Sequence, residues 1–236
     1  MPHELAISTD LIDNPSPRCP CMVVLDTSGS MGGGVFSGLF SSGNSNTPIA
    51  QLNKGMSTFL EALQADEIAS YSVDVGVITA GGTVQEVLPF TTAVQIENIQ
   101  PFQANGQTPL GGAVELALKR LEERKAEYKR NGVAYYQPWL VVISDGEPSD
   151  KGTWQHAAQI AKTLSNERKL VSLMVGVEGA DMNVLAQASN KPALKLDGLK
   201  FSEFFEWLSA SMSRVSASTS TSASVQLPSV DSWASI

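Results

Sequence analysis

The most informative stretch of this chain is Cys21-Met-Val-Val-Leu-Asp26-Thr-Ser28-Gly-Ser30-Met-Gly32. Its apolar run at 22–25 predicts a strand that is buried on both faces, as in a parallel sheet covered by helices. Polar residues follow at once, and ligands in open α/β sheets bind beyond the carboxyl ends of the strands. We therefore expect Asp26, Ser28 and Ser30 to lie together on a loop there. One carboxylate and two hydroxyls are hard oxygen ligands, which suit Mg²⁺, Mn²⁺ or Ca²⁺.

Two later segments carry oxygen-bearing side chains to the same edge of the predicted sheet. Thr108 precedes a predicted helix in Thr108-Pro-Leu-Gly-Gly112, and Asp145 follows a second apolar strand at 139–143. Each segment also has an ordinary explanation, because Ser, Thr and Asp are common turn residues and helix N-caps. Taken together, the three segments predict a metal site formed by Asp26, Ser28, Ser30, Thr108 and Asp145.

Segments with strand-like and helix-like apolar periodicity alternate along the chain. The predicted strands are 22–25, 73–78, 84–88, 139–143, 170–177 and 193–196, and the predicted helices begin near residues 48, 108, 149, 182 and 201. Gly81-Gly82 predicts a hairpin, which makes 84–88 an antiparallel edge strand. The alternation predicts a Rossmann-like α/β fold with three layers, in which helices cover both faces of a mostly parallel central sheet.

The chain divides into three predicted parts. Residues 1–18 form an irregular N-terminal extension, residues 19–212 the domain, and residues 213–236 a tail. Serine, threonine and alanine dominate 216–224, so we expect a flexible tether that ends in a docking segment where apolar residues return. The same Ser/Thr cluster could instead accept phosphate from a kinase, or the tail could bring Asp231 to the metal of a neighbouring molecule.

A glycine- and serine-rich loop is predicted from 32 to 47. It contains the apolar residues Val35, Phe36, Leu39 and Phe40, which are unusual in a pure linker. Two interpretations stay open. The loop packs back on the domain, or it presents an apolar surface to a partner beside the metal site.

Charged residues on the helix that begins near Thr108 are interpreted as its solvated face. They are Lys119, Glu122, Glu123, Arg124, Lys125 and Glu127. Glu147 and Asp150 follow the second strand end, and we expect them either to rim the metal site or to cap the helix that comes next.

Composition limits the classes of function. The chain has 236 residues and a net charge of −8, which disfavours binding to nucleic acid and to anionic membranes. No apolar run approaches the roughly 20 residues of a membrane span and no signal peptide is recognised, so we expect a cytoplasmic protein. Cys19 and Cys21 are too close in the chain to bridge well and have no further Cys or His nearby, so we interpret them as reduced, buried thiols.

The spacing of Asp26-Thr-Ser-Gly-Ser30, with the distant Thr108 and Asp145-Gly146, resembles the metal-ion-dependent adhesion site of von Willebrand factor A domains. The resemblance covers roughly residues 20–212. It implies a divalent metal and a partner protein that donates an Asp or Glu side chain to it.

The same resemblance implies a role for each residue. Ser28 and Ser30 would bind the metal directly through their hydroxyls, and Thr108 directly or through water. Asp26 and Asp145 would act directly or through bound water and would hold the hydroxyls in place.

A closer likeness, to bacterial tellurite-resistance-associated A-domain proteins, rests on Arg18-Cys-Pro-Cys21, on Leu196-Asp-Gly-Leu-Lys-Phe201 and on the Ser-rich end. It implies a bacterial stress-response or conflict system, with a Ser/Thr kinase and a phosphatase among the partners. The 32–47 loop looks expanded relative to these proteins, which leaves the shape of the ligand-facing surface open.

An enzyme is the competing interpretation. Phosphohydrolases of the haloacid dehalogenase type also bind Mg²⁺ with an aspartate after a buried strand. They carry Asp-x-Asp, however, and here Ser28 stands at the second position and cannot act as an acid or base. A serine hydrolase fits less well, since Gly-x-Ser-x-Gly is absent around Ser28 and Ser30 and the only histidines are His3 and His156. We therefore predict a binding module rather than an enzyme.

Overall fold

The computed structural model describes residue 11, residue 14 and residues 16–33, 47–145, 147–222 and 224–235. Most of the N-terminal extension predicted at 1–18 and most of the loop predicted at 32–47 lie outside the described residues. The expectations for those two segments stay predictions.

A seven-stranded sheet forms the centre of the molecule. Its strands in chain order are β1 Cys19–Asp26, β2 Val73–Gly81, β3 Thr83–Thr92, β4 Trp139–Ser144, β5 Val171–Gly176, β6 Leu194–Leu196 and β7 Ala234–Ser235. Their spatial order is β3-β2-β1-β4-β5-β6-β7, with β1, β2, β4, β5 and β6 parallel and β3 antiparallel to β2. The predicted α/β fold is confirmed, and β7 adds a second antiparallel strand at the other edge.

The described α-helices cover both faces of the sheet. They are α1 Pro48–Ala65, α2 Ala69–Ser72, α3 Leu110–Arg130, α4 Lys151–Asn166, α5 Met182–Leu185 and α6 Phe201–Ser216. β1 is buried along its whole length because its residues alternate between two cores. Val23 and Leu25 enter the core beneath α1 and α6, and Met22 and Val24 enter the core beneath α3 and α4. This central strand ends in Asp26, at the carboxyl edge of the parallel strands.

Some boundaries differ from the predicted ones. β3 extends to Thr92, because its pairing with β2 continues to Asp74, and Pro89 lies where the register between this edge strand and β2 shifts. α3 begins at Leu110, so Thr108 lies in the preceding loop, and α4 begins at Lys151. α6 continues to residue 216, past the predicted domain end at 212.

The last part of the predicted tail is folded onto the domain. Trp233 is fully buried and packs against Phe204 and Trp207 of α6, with ring centroids 4.8 and 5.3 Å away. The Asp197 N–H donates to the Trp233 carbonyl oxygen at 2.9 Å, and β7 then pairs with β6. The segment that we expected to dock contacts its own domain, because burying a large indole ring against other aromatic rings is favourable.

A buried ionic cluster lies at the opposite end of the sheet from the β1 carboxyl end. Asp74 of β2 is fully buried and is contacted by Arg18 at 3.2 Å and by Arg124 at 2.7 Å. Tyr128 also donates a hydrogen bond to Asp74, and burial together with the nearby Asp74 charge raises the pKa of Tyr128. The expected place of Arg124 on the solvated face of α3 is wrong, because this buried carboxylate binds its guanidinium.

Candidate metal centre

The loop after β1 carries three of the five predicted ligands. Asp26 is fully buried, and one of its carboxylate oxygens accepts a hydrogen bond from the Ser28 backbone N–H at 2.9 Å. The chain continues into a short 3₁₀ turn, Gly29–Gly32, which is anchored in the core by the buried Met31. The hydroxyl oxygens of Ser28 and Ser30 lie 2.8 Å apart. The loop therefore presents one carboxylate and two hydroxyls close together.

The loop after β4 brings a second carboxylate to the same place. β4 lies beside β1 in parallel, so the two strands end at the same edge of the sheet. Ser30 Oγ donates a short hydrogen bond to Asp145 Oδ2, and the Ser144 hydroxyl donates to Asp26 Oδ2 at 2.6 Å. Hydrogen bonds thus connect Asp26, Ser28, Ser30 and Asp145 into one cluster.

Thr108 belongs to a segment that lies between these two loops. The Gly29 N–H donates to the Gly106 carbonyl oxygen at 2.9 Å, and the Ser149 N–H donates to the Thr108 carbonyl oxygen at 2.9 Å. Thr108 is only 6% exposed, and its hydroxyl has no hydrogen-bond partner in the described part of the chain. The backbone therefore joins the segment of Thr108 to the loops after β1 and β4, and no described residue competes with a ligand for the Thr108 hydroxyl.

Glycines let the segment that carries Thr108 approach the hairpin between β2 and β3 closely. Gly106 has a φ of +63°, and a Cβ built on it would lie 2.5 Å from the Gly82 Cα. At the same crossing the Gly82 N–H donates to the Gln107 carbonyl oxygen at 2.7 Å. A side chain at position 106 would collide with Gly82 and would displace the segment that carries Thr108 from its place beside the hairpin.

The two carboxylates of the cluster are unfavourable without a cation. Burial raises the pKa of Asp26, and the nearby Asp145 charge raises it further. Hydrogen bonds from Ser144 and Ser28 oppose this rise, but the pKa of Asp26 stays above its usual value. A divalent cation among these oxygens would offset both the burial and the repulsion. No three His, Cys, Asp or Glu side chains among the described residues are placed to share a metal, so a cation here depends on the hydroxyls. Carboxylates with hydroxyls fit Mg²⁺, Mn²⁺ or Ca²⁺.

Two residues outside the predicted set support the cluster. Ser144 is the last residue of β4 and binds Asp26, as described above. Asp150 accepts hydrogen bonds from the Gly111 and Gly112 N–H groups, at 3.0 and 2.8 Å. Its side chain therefore caps α3 and not the helix that follows it, which was one of the two expected roles. The glycine pair at the start of α3 is the sequence signal for this contact, because a carboxylate can approach N–H groups closely where no side chain intervenes.

The fold and the cluster define an α/β domain whose candidate site lies at the edge formed by the carboxyl ends of the parallel strands. The chain belongs to the von Willebrand factor type A domain family, whose model matches residues 22–205. The predicted family is confirmed, and the closer likeness to tellurite-resistance-associated proteins stays a prediction.

Several solved structures share the fold. The pilus adhesin SpaC from Lactobacillus rhamnosus GG superposes with a TM-score of 0.61 at 14% identity, covering 84% of this chain and 31% of that chain. The manganese-loaded TRAP protein of Plasmodium vivax gives 0.51 at 15% identity, covering 79% and 71%. Proximal thread matrix protein 1 from the mussel byssus, with a zinc-occupied metal-ion-dependent adhesion site (MIDAS) motif, gives a TM-score of 0.52 at 16% identity. The match covers 83% of this chain and 46% of that chain. At these identities the likeness supports the fold alone.

The matching regions are limited in extent. This chain spans about half the length of the mussel protein. No curated protein matches the chain.

Within the described part of the chain, no helix has both the length and the apolar character that crossing a bilayer requires.

Proposed function

We propose that this chain is a metal-dependent protein-binding module. Asp26, Ser28, Ser30, Thr108 and Asp145 would hold a divalent cation, and an Asp or Glu side chain of a partner protein would complete its coordination. The observation that carries the proposal is the contact of Ser30 Oγ with both Ser28 Oγ and Asp145, which gathers oxygens from two strand ends. Mg²⁺ is the cation we propose first, with Mn²⁺ or Ca²⁺ as substitutes.

The residues of the site differ in what they contribute. Asp26 and Asp145 bring two negative charges, which balance a divalent cation, while the three hydroxyls bring none. When bound, the cation supplies a position that attracts one more anionic oxygen. The contact of the Ser28 N–H with Asp26 holds the loop in shape before a partner arrives, so little ordering remains to oppose binding.

Titration with Mn²⁺ tests the metal site. We expect isothermal titration calorimetry to give one Mn²⁺ per chain, and we expect Ser28→Ala to weaken that binding strongly. Ser57→Ala, which changes an exposed serine of α1, is the matched control and should bind as the unmodified chain does. Circular dichroism checks that all three proteins are folded. Equal affinities for the unmodified chain and Ser28→Ala would contradict the site.

A pull-down tests the binding function. The immobilised chain is incubated with a lysate of its native host, once with Mg²⁺ and once with EDTA, and Asp26→Ala is treated in the same way. We expect a defined set of proteins to be retained only by the unmodified chain and only with Mg²⁺. Retention that persists in EDTA would contradict a metal-dependent module.

The biological setting is a finer part of the proposal. We propose a cytoplasmic role in a bacterial tellurite-resistance, stress-response or conflict system, with a Ser/Thr kinase and a phosphatase among the partners. The support is the sequence likeness at Arg18-Cys-Pro-Cys21 and Leu196-Asp-Gly-Leu-Lys-Phe201, and the Ser/Thr cluster at 216–224 stays a predicted phosphate acceptor. Identifying the Mg²⁺-dependent proteins from the pull-down by mass spectrometry tests this setting.

The alternative of a Mg²⁺-dependent phosphohydrolase of the haloacid dehalogenase type has no observation in its favour. Ser28 stands where those enzymes carry their acid or base, and its hydroxyl contacts Ser30. A serine hydroxyl cannot exchange a proton near neutral pH as a carboxyl group does.

A further inference from the structure

We infer that Asp150 is a positioning residue, which fixes Thr108 where its hydroxyl can bind the cation. This inference rests on the proposed function of the site. Asp150 Oδ1 accepts a hydrogen bond from the Gly111 N–H at 3.0 Å, and Oδ2 accepts one from the Gly112 N–H at 2.8 Å. Both donors lie in the first turn of α3, directly after the segment that carries Thr108.

Asp150 serves the starts of two helices at once. It is the N-cap residue of α4, but its side chain makes no capping hydrogen bond to that helix. Its backbone carbonyl oxygen accepts from the Trp154 N–H of α4 at 2.9 Å, while its carboxylate binds α3. Since both helix N-termini carry partial positive charge, one carboxylate between them offsets the repulsion of the two ends.

The two helix starts are packed backbone against backbone. A Cβ on Gly111 would lie 2.3 Å from the Trp154 nitrogen, so no side chain separates the first turns of α3 and α4. The Ser149 N–H adds a hydrogen bond to the Thr108 carbonyl oxygen at 2.9 Å. Three backbone N–H groups, those of Gly111, Gly112 and Ser149, therefore join the segments 108–112 and 149–150 by hydrogen bonds. Because 149–150 follows Asp145 closely in the chain, these bonds set the distance between Thr108 and Asp145.

Two simpler roles for Asp150 make different predictions. A purely electrostatic role would act on the cation from a distance and would weaken as salt is added. A purely structural role would lower the stability of the fold without changing the metal affinity of the folded protein. A positioning role acts through Thr108, so it disappears when the Thr108 hydroxyl is removed.

A double-mutant cycle on Mn²⁺ affinity tests the inference. Isothermal titration calorimetry is carried out on the unmodified chain, Asp150→Ala, Thr108→Ala and the double variant. We expect Asp150→Ala to weaken Mn²⁺ binding by about tenfold or more, as is typical of residues that orient metal ligands. We expect the double variant to bind as Thr108→Ala alone does, because Asp150 has nothing left to position.

Three controls separate the possible roles. Glu147→Gln removes one negative charge from a side chain that is 82% exposed and pairs only loosely with Lys151, at 3.8 Å, and it should change the affinity by less than about twofold. Asp150→Ser keeps an oxygen acceptor at the helix start and should recover part of the lost affinity. Urea unfolding of each metal-free protein shows which variants are folded. If Asp150→Ala is not folded, Asp150→Ser takes its place in the double-mutant cycle.

The outcomes are distinct. The inference is overturned if Asp150→Ala leaves the Mn²⁺ affinity unchanged. It is also overturned if the Asp150→Ala change lowers that affinity equally in the unmodified chain and in Thr108→Ala. In both cases the metal site itself stands. A loss in Glu147→Gln that matches that of Asp150→Ala, with both losses vanishing at about 0.5 M NaCl, assigns the effect to charge and also overturns it. If the unmodified chain binds no Mn²⁺, the proposed function fails together with the inference.

Discussion

At the scale of single residues, Asp74 illustrates what a buried charge requires. Its carboxylate accepts hydrogen bonds from Arg18, Arg124, Thr92 and Tyr128, and no part of the residue is exposed to solvent. A carboxylate without water needs such a set of donors, since an unpaired buried charge is strongly unfavourable. The cluster closes the end of the sheet that does not carry the candidate metal site.

Arg124→Leu should lower the free energy of unfolding by about 3 kcal/mol or more, because it leaves Asp74 with an incomplete set of partners. Arg120→Leu is the matched control on the same helix. Arg120 pairs with Glu86 and Glu123 in a partly exposed position. Arg120→Leu should therefore lower the free energy of unfolding by about 1 kcal/mol or less. Urea unfolding followed by circular dichroism measures both. Similar losses for the two variants would contradict the special role of the buried cluster.

The Cys21 thiol gives a prediction for alkaline pH. Burial raises the pKa of Cys21 from 9.0 to about 12. The unfolded chain therefore loses this proton first, so the stabilisation is complete below about pH 9 and is lost as the pH rises towards 12. Cys21→Ala should be less stable than the unmodified chain at pH 8, because of the cavity, yet should lose less stability between about pH 8 and 11. Urea midpoints across that range measure the two slopes, and parallel slopes would contradict the expectation.

Single residues differ in how far the sequence reveals them. Asp26, Ser28 and Ser30 were predictable as a group because polar side chains directly after an apolar run mark the end of a buried strand. The environment of Arg124 was not, because helical periodicity gives the face on which a residue lies and not what is packed opposite that face. Asp74 is a polar residue between apolar ones in β2, which is also the pattern of a half-exposed strand.

At the scale of elements, the crossing of α3 and α4 depends on one glycine and not on its neighbour. Gly111→Ala should destabilise the protein by about 1–3 kcal/mol, because the new Cβ would lie 2.3 Å from the Trp154 nitrogen. Gly112→Ala meets its nearest atom, Val84 Cγ2, at 3.4 Å, and alanine favours the helix, so stability should be unchanged or rise by up to about 1 kcal/mol. Thermal unfolding of the two variants gives the comparison. A loss in Gly112→Ala as large as that in Gly111→Ala would rule out the close crossing.

The elements themselves were largely predictable from apolar periodicity, and their ends were not. The edge strand β3 runs on through Pro89 to Thr92, although a proline is usually taken as the end of a strand. Proline is tolerated there because β3 is an edge strand and its register with β2 shifts between Leu88 and Thr91. That neighbour relation is a property of the sheet and cannot be seen from the residues of β3 alone.

At the scale of the whole molecule, the last segment contributes to the common core. Trp233→Ala should lower the free energy of unfolding by about 3–5 kcal/mol, as large buried side chains do. Trp233→Phe should cost much less, because the ring contacts with Phe204 and Trp207 are kept in part. The Trp233 Nε1–H is also buried without a partner among the described residues, and phenylalanine removes that penalty. Urea unfolding separates the two variants, and equal losses would show that the ring contacts are unimportant.

Composition alone suggested a flexible tail, because serine and threonine dominate the segment before residue 225. Composition does not show where the segment packs. The aromatic residues of α6 and the free edge of β6, which it contacts, lie beside each other only in the folded chain. Contacts between distant parts of the chain decide whether such a segment is ordered, and a local pattern does not contain them.

The close crossing of Gly106 and Gly82 has a practical consequence for anyone who wishes to retarget this protein. A combinatorial library that randomises either loop would lose most of its members to misfolding unless glycine is held constant at both positions. New specificity would have to be grafted onto side chains that flank this crossing, and the crossing itself would serve as an invariant frame for them.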